Sequence, residues 1–148
     1  MSEQLSATVN WTEGMHFQGT AGFAQEVPID HGPPLGIGQG IKPMELTLMS
    51  MAACSAQTVI SLLVKMRQDV KSFSVQAEGK KQEEHPRVFT EIRLEFQIEG
   101  AALDRALIEK AVRLSEEKYC PVWAMLKKSA VISPSITIKE WKAAIPNP

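Results

Sequence analysis

Between Glu45 and Lys65 the chain carries no charged residue. That run, inside Lys42–Arg67 (KPMELTLMSMAACSAQTVISLLVKMR), constrains the fold more than any other feature. It reads as one long helix that is apolar nearly all round, and such a helix is buried on nearly all sides. Pro43 suits the first helical turn. Glu45 places a carboxylate where the helix dipole favours it, and Lys65 and Arg67 complement the other end. The run is also long enough to suggest a membrane span. Thr47, Ser50, Ser55, Gln57, Thr58 and Ser61 dilute its hydrophobicity, and no other segment supports insertion. A buried core helix with small polar residues is the better reading.

A chain of 148 residues suits a single domain, 1–148, with a frayed tail expected from about residue 143. A net charge of −1 gives no general attraction to nucleic acid or to anionic lipid. The start, MSEQLSATVNW, has neither a basic segment nor an apolar signal core, so a cytoplasmic protein is expected. In a reducing compartment the two cysteines, Cys54 and Cys120, are more often chemical than structural. Their spacing and that of the histidines give no zinc motif.

Leu5–Trp11 and Met15–Gly22 read as a hairpin, with a short third strand near Glu26–Asp30. His31–Pro43, HGPPLGIGQGIKP, is a loop by its glycine and proline density. Its run into a helix raises a phosphate cradle, yet neither the Walker nor the Rossmann spacing is present. After the long helix, strands are expected around Phe73–Ala77 and over Arg87–Glu99. In the second, Val88, Thr90, Ile92, Leu94, Phe96 and Ile98 share one face, and Glu91, Arg93, Glu95, Gln97 and Glu99 share the other. This pattern suits an antiparallel strand with one solvated face. Ala102–Lys118 is helical, with Leu103, Leu107, Ala111 and Leu114 inward. Cys120–Pro121 breaks it, Pro121–Lys128 restarts a helix, and Val131–Glu140 is a last strand. Segregated strands and helices in this order give an α+β fold with antiparallel sheet.

Cys120 stands just ahead of a helix N-terminus, where free amides and the dipole favour an anion. A thiol placed there is favoured as thiolate and hence reactive. Cys54 lies far from its own helix ends, and a cysteine in an apolar helix is usually an inert small hydrophobe. His16, His31 and His85 occupy polar or loop contexts, and Trp123 suits core packing. Met44, Met49 and Met51 suit adaptable packing; beside a pocket they would favour an apolar substrate.

The segments KPMELTLMSMAACSAQTV and SEEKYCPVWAML, in this order and at this separation, resemble the osmotically inducible protein C (OsmC) and organic hydroperoxide resistance superfamily. The resemblance runs over nearly the whole chain. It implies an OsmC-like α+β fold, with antiparallel sheets wrapped around long central helices in an intertwined homodimer. It also implies that Cys54 attacks a peroxide oxygen and becomes a sulfenic acid, that Cys120 resolves this as a disulfide, and that an external dithiol reduces the disulfide. No metal, haem or flavin belongs to that cycle.

Two departures set the chain in a less characterised OsmC-like branch. Hydroperoxide-reducing members hold the thiolate with an arginine from ahead of the long helix, whereas here no arginine precedes Arg67; Lys42 is the nearest cation and lacks the planar fork. Their pocket glutamate directly follows a proline; here Met44 follows Pro43 and the glutamate is Glu45, about 100° further round the helix. Glu45 is therefore a candidate site residue with a competing role as a first-turn carboxylate. The expected function is a thiol-dependent peroxidase acting on organic hydroperoxides through Cys54 and Cys120, with no resident cofactor, no nucleic acid and no membrane. The alternative is a binding or redox-sensing protein of the same fold. Thiol-dependent hydrolysis lacks a placed histidine or aspartate partner.

Overall fold

The structure, a computed structural model, describes residues 2–22 and 25–143. The expected frayed tail, apart from residue 143, lies outside those residues. The chain divides into two compact units, 1–47 and 48–148.

The first unit holds three strands, β1 (Thr8–Glu13), β2 (His16–Thr20) and β3 (Val27–Ile29), joined antiparallel in the order β1-β2-β3. Gly14 takes a positive φ of 50° at the β1–β2 turn, a conformation glycine adopts without strain. The alternation in β1 is real, but no residue of the strand is buried, and Val9 and Trp11 stand in solvent.

The glycine-rich loop is ordered from within. Asp30, only 1% exposed, accepts the backbone N–H groups of His31 (2.7 Å), Ile37 (3.3 Å) and Gln39 (3.2 Å). A Cβ on Gly36 would collide with that carboxylate and with the His31 carbonyl; one on Gly40 would strike the Ile29 and Asp30 backbone. Asp30 N–H bonds to the Ile41 carbonyl, and Ile41 N–H to the Pro28 carbonyl. A concave set of backbone N–H groups is an anion site. Here the anion is the chain's own carboxylate, which leaves the phosphate-cradle reading without its donors.

Helix α1 spans Pro43–Lys65, as the uncharged run requires. Its buried residues form one stripe, Met51, Ser55, Val59 and Leu63, at four-residue spacing. The far side is open: Met49 and Val64 are largely exposed. Burial on nearly all sides is thus not met within one chain, because the chain supplies packing to one face only. By length and composition α1 could cross a membrane, a test that core helices of soluble proteins also pass.

The second unit is built on β4 (Asp69–Lys81), β5 (Phe89–Ala101) and β6 (Val131–Glu140), in the order β4-β5-β6. β4 and β5 pair antiparallel, but β6 runs parallel to β5, which corrects the purely antiparallel expectation for this sheet. The reason is the connection. Parallel neighbours need a crossover, usually helical, and the helices between β5 and β6 provide one. Pro134 is tolerated because β6 is an edge strand.

Ile92, Leu94, Phe96 and Ile98 form the buried face of β5, and the Phe73 and Phe96 rings stack at 6.5 Å. The residue buried near the start of β5 is Phe89 rather than Val88 or Thr90. Thr90 is an extra residue in β5 opposite the Lys80–Lys81 step of β4, a bulge that shifts the pairing by one there, and Phe89 lies over Gly79.

Helix α2 (Arg105–Leu114) is capped by Asp104, whose carboxylate accepts the Ala106 N–H at 2.9 Å. Its buried residues are Ile108, Ala111 and Val112, with Leu107 and Leu114 half-buried beside them. The inward face is therefore rotated from the expected Leu103, Leu107, Ala111, Leu114 set. The helix closes in a π-helical turn, Ser115–Tyr119, before α3 (Pro121–Leu126).

Candidate active site

Two features of the sequence place Cys120. The π-helical turn ends by donating the Cys120 N–H to the Ser115 carbonyl at 3.0 Å. Pro121 then forces Cys120 into extended geometry, φ −85° and ψ 106°, as the N-cap of α3. Its sulfur does what a capping side chain does and accepts the Trp123 N–H at 3.4 Å. A second donor comes from α1: the Ser55 hydroxyl reaches the same sulfur at 3.5 Å. Cys120 is 3% exposed, and Trp123 and Ser55 are buried with it.

Cys54 lies one residue before Ser55 and is half-buried. The Cys120 thiol and the Val122 N–H are the neighbouring groups that act on its proton balance. Burial pushes the Cys54 thiol above its ordinary range; the Val122 N–H pulls it down, and the neighbouring Cys120 thiol pushes it up again. Among the described residues no cation is one of the groups that set it. No disulfide joins the two cysteines in this structure. Two thiols from separate elements thus act on one another near the first turn of α3, and exchange between dithiol and disulfide is the chemistry such a pair offers.

Cys54 has more help than its sequence position implies. It is far from the ends of α1, but α3 lends it a backbone N–H. That contact is tertiary, and no local pattern carries it. In the sequence Ser55 likewise reads only as one of several small polar residues diluting an apolar run. Its position in the buried i, i+4 stripe with Met51 and Val59 was the available signal.

Glu45 sits in the first turn of α1, where its carboxylate accepts the Lys42 N–H at 3.0 Å. Trp123 packs in the core. His16 meets Thr12, Nδ1 to hydroxyl at 2.7 Å, and contributes to the field at Asp30 in the first unit. His85 is exposed and His31 half-buried. A groove of about 360 Å³ runs along α1 one turn beyond Cys54, lined by Gln57, Thr58, Ser61, Leu62, Lys65 and Tyr119. Thr58 donates its hydroxyl back to the Cys54 carbonyl one turn earlier, at 3.0 Å. Among the described residues, no group of three or more His, Cys, Asp or Glu side chains is placed to hold a metal ion.

Residues 36–135, which include both cysteines, match the family described as OsmC-like protein. The chain is 38% identical over 134 residues to Protein YhfA of Escherichia coli (strain K12), covering 90% of this chain and 98% of YhfA. Among solved structures, a hypothetical protein from Aquifex aeolicus VF5 superposes with a TM-score of 0.85 at 30% identity, over 95% of this chain and all of that one. The organic hydroperoxide resistance protein OhrB of Bacillus subtilis superposes with a TM-score of 0.64 at 17% identity, over 91% of this chain and 98% of OhrB. At that identity the likeness is one of fold.

Proposed function

The chain belongs to the OsmC-like protein family, and from that premise we propose that it is a thiol-dependent peroxidase that reduces organic hydroperoxides. Cys54 is the nucleophile and Cys120 the resolving thiol. The cycle draws its electrons from an external dithiol and uses no resident cofactor. The observation that carries the reading is the pairing of the two thiols as neighbouring groups near the first turn of α3, with the Trp123 N–H donated to the Cys120 sulfur. The kinship with organic hydroperoxide resistance folds is consistent with a redox role.

In this reading Cys54 thiolate takes the terminal oxygen of the hydroperoxide, the O–O bond breaks and the alcohol departs. Cys120 displaces hydroxide from the sulfenic acid, which leaves as water, and the disulfide forms. The dithiol then reduces it by two exchanges and ends as a disulfide itself. Glu45 holds the start of the helix that carries Cys54. We take the two units as parts of one OsmC-like domain, because the family match crosses the division between them. We further take the protein to be a cytoplasmic homodimer that binds neither nucleic acid nor membrane.

The test is a coupled dithiol assay with cumene hydroperoxide and with hydrogen peroxide. Turnover well above a Cys54→Ser control is expected, with the organic peroxide preferred; turnover equal to that control removes the proposal. A second reading has its own support, in a Cys54 thiol held above its ordinary range with no cation among the described residues acting to lower it. It is a slow redox sensor or binding protein on the same fold. Reactivity toward peroxide no greater than that of free cysteine would favour it.

A further inference from the structure

Ser55 is fully buried, in a stripe whose other members are Met51, Val59 and Leu63. A hydroxyl in such a place is costly unless it is hydrogen-bonded. Its bond goes to the Cys120 sulfur, at 3.5 Å. A neutral thiol is a weak acceptor, whereas a thiolate is an ionised one, for which hydrogen bonds are stronger. Cys120 receives a second donor, the Trp123 N–H at 3.4 Å. Neighbouring positions on α1 point about 100° apart, so Ser55 can serve Cys120 while Cys54 keeps its own orientation. Access is unequal as well. Cys120 is 3% exposed and Cys54 is half-buried, so an incoming thiol meets Cys54.

We propose that Ser55 is a positioning residue for the disulfide half of the cycle. It holds the Cys120 sulfur ready to carry negative charge, so that Cys120 is both the attacking and the leaving sulfur and the external thiol always enters at Cys54. The proposal rests on the dithiol cycle above and fixes its direction. On oxidation, Cys120 thiolate attacks the sulfur of the Cys54 sulfenic acid. The S–S bond forms, the S–O bond breaks, and hydroxide takes a proton from solvent. On reduction, a thiolate of the dithiol attacks the Cys54 sulfur, the S–S bond breaks, and its electron pair leaves on Cys120. The second thiolate of the reductant then attacks its own mixed-disulfide sulfur and releases Cys54. Ser55 stabilises the Cys120 charge in both directions and keeps its proton throughout.

The test avoids hydroperoxide, so it stands apart from the peroxidase assay. Protein oxidised with diamide is reduced by dithiothreitol in single turnovers across a pH series. Ser55→Ala is expected to slow reduction about tenfold, the scale of one hydrogen bond to a charged group. Ser55→Thr, which keeps the hydroxyl, is expected to restore most of the rate. Sulfenic acid formation in a Cys120→Ser background is expected to be unchanged by Ser55→Ala. In the wild-type chain, brief treatment of the disulfide form with glutathione is expected to leave the mixed disulfide on Cys54 by peptide mass, a readout that needs no variant. Wild-type reduction rates in Ser55→Ala, glutathione on Cys120, or no Cys54–Cys120 disulfide after diamide would each overturn the proposal. A slowed reduction in a protein without hydroperoxide turnover would uphold this direction of exchange and remove the peroxidase reading alone.

Discussion

Two residues carry a proton balance that the fold displaces in opposite directions. Cys54 is pushed above the ordinary thiol range, chiefly by burial, so its reactive form grows with alkali. In stopped-flow single turnovers with cumene hydroperoxide, the rate at Cys54 should still be climbing at about pH 8.5, the ordinary thiol value. A plateau reached below that value would contradict the assignment. At Asp30, burial alone would raise the carboxyl, but the N–H groups of Gln39, His31 and Ile37, with a smaller contribution from His16, hold it below the usual range. The folded state therefore gives up this proton more readily than the unfolded chain does. The stabilisation is present above the unfolded value of about 3.9 and is lost as pH falls through the folded one. Asp30→Asn should lower the thermal midpoint at neutral pH, and its gap from wild type should narrow below about pH 4. A gap independent of pH would mean that the charge on Asp30 does not hold the loop. Neither effect could be read from the sequence. An acid ahead of a glycine-rich loop looks like a solvated charge until Gly36 and Gly40 are seen to make room around it, and the Val122 N–H reaches Cys54 only through the fold.

The elements themselves were legible wherever local chemistry decides them. The uncharged run gave α1, the alternation gave β5, Pro121 gave the start of α3, and β6 spans the expected Val131–Glu140. What the pattern could not give was set by pairing partners. The direction of β6 depends on the crossover through α2 and α3. The phase at the start of β5 depends on a bulge at Thr90 against β4, which exchanges Thr90 for Phe89 on the core side. The inward face of α2 depends on what it packs against, so Ile108 and Val112 lie deeper than Leu107 and Leu114. The bulge has a testable consequence. The Phe89 ring occupies the space that a side chain at Gly79 would need. Gly79→Ala should cost about 1–3 kcal/mol by overpacking, and Phe89→Ala about 3–5 kcal/mol by leaving a cavity. The double variant should lose less than the sum, because the cavity relieves the collision. Urea unfolding of the four proteins measures this, and strict additivity would mean that the two residues do not share that space.

At the scale of the whole molecule, the open side of α1 is the feature that a single chain does not explain. Ala53, Gln57, Ser61 and Val64 are exposed along the side opposite the buried stripe, with Met49 about one turn before Ala53. Ala53 and Ser61 are small enough to let another backbone approach closely, and Met49 and Val64 add apolar surface that a partner would cover. A two-fold axis beside α1 would set this face against itself, so that each exposed residue supplies its own complement. The homodimer proposed above therefore has a definite seam. Ala53→Glu places a carboxylate on that side, one residue before Cys54, while Met51, Ser55, Val59 and Leu63 remain untouched. In sedimentation equilibrium the wild-type chain should run at twice 16.3 kDa, and Ala53→Glu close to the single-chain mass. The thermal midpoint of the wild type should rise with protein concentration, as linkage to association requires, and that of the variant should not. Wild-type protein at the single-chain mass at micromolar concentration, with a midpoint independent of concentration, would remove the dimer and leave the composition of α1 without a cause. A dimer that survives Ala53→Glu would instead move the seam to the exposed β1 surface around Val9 and Trp11.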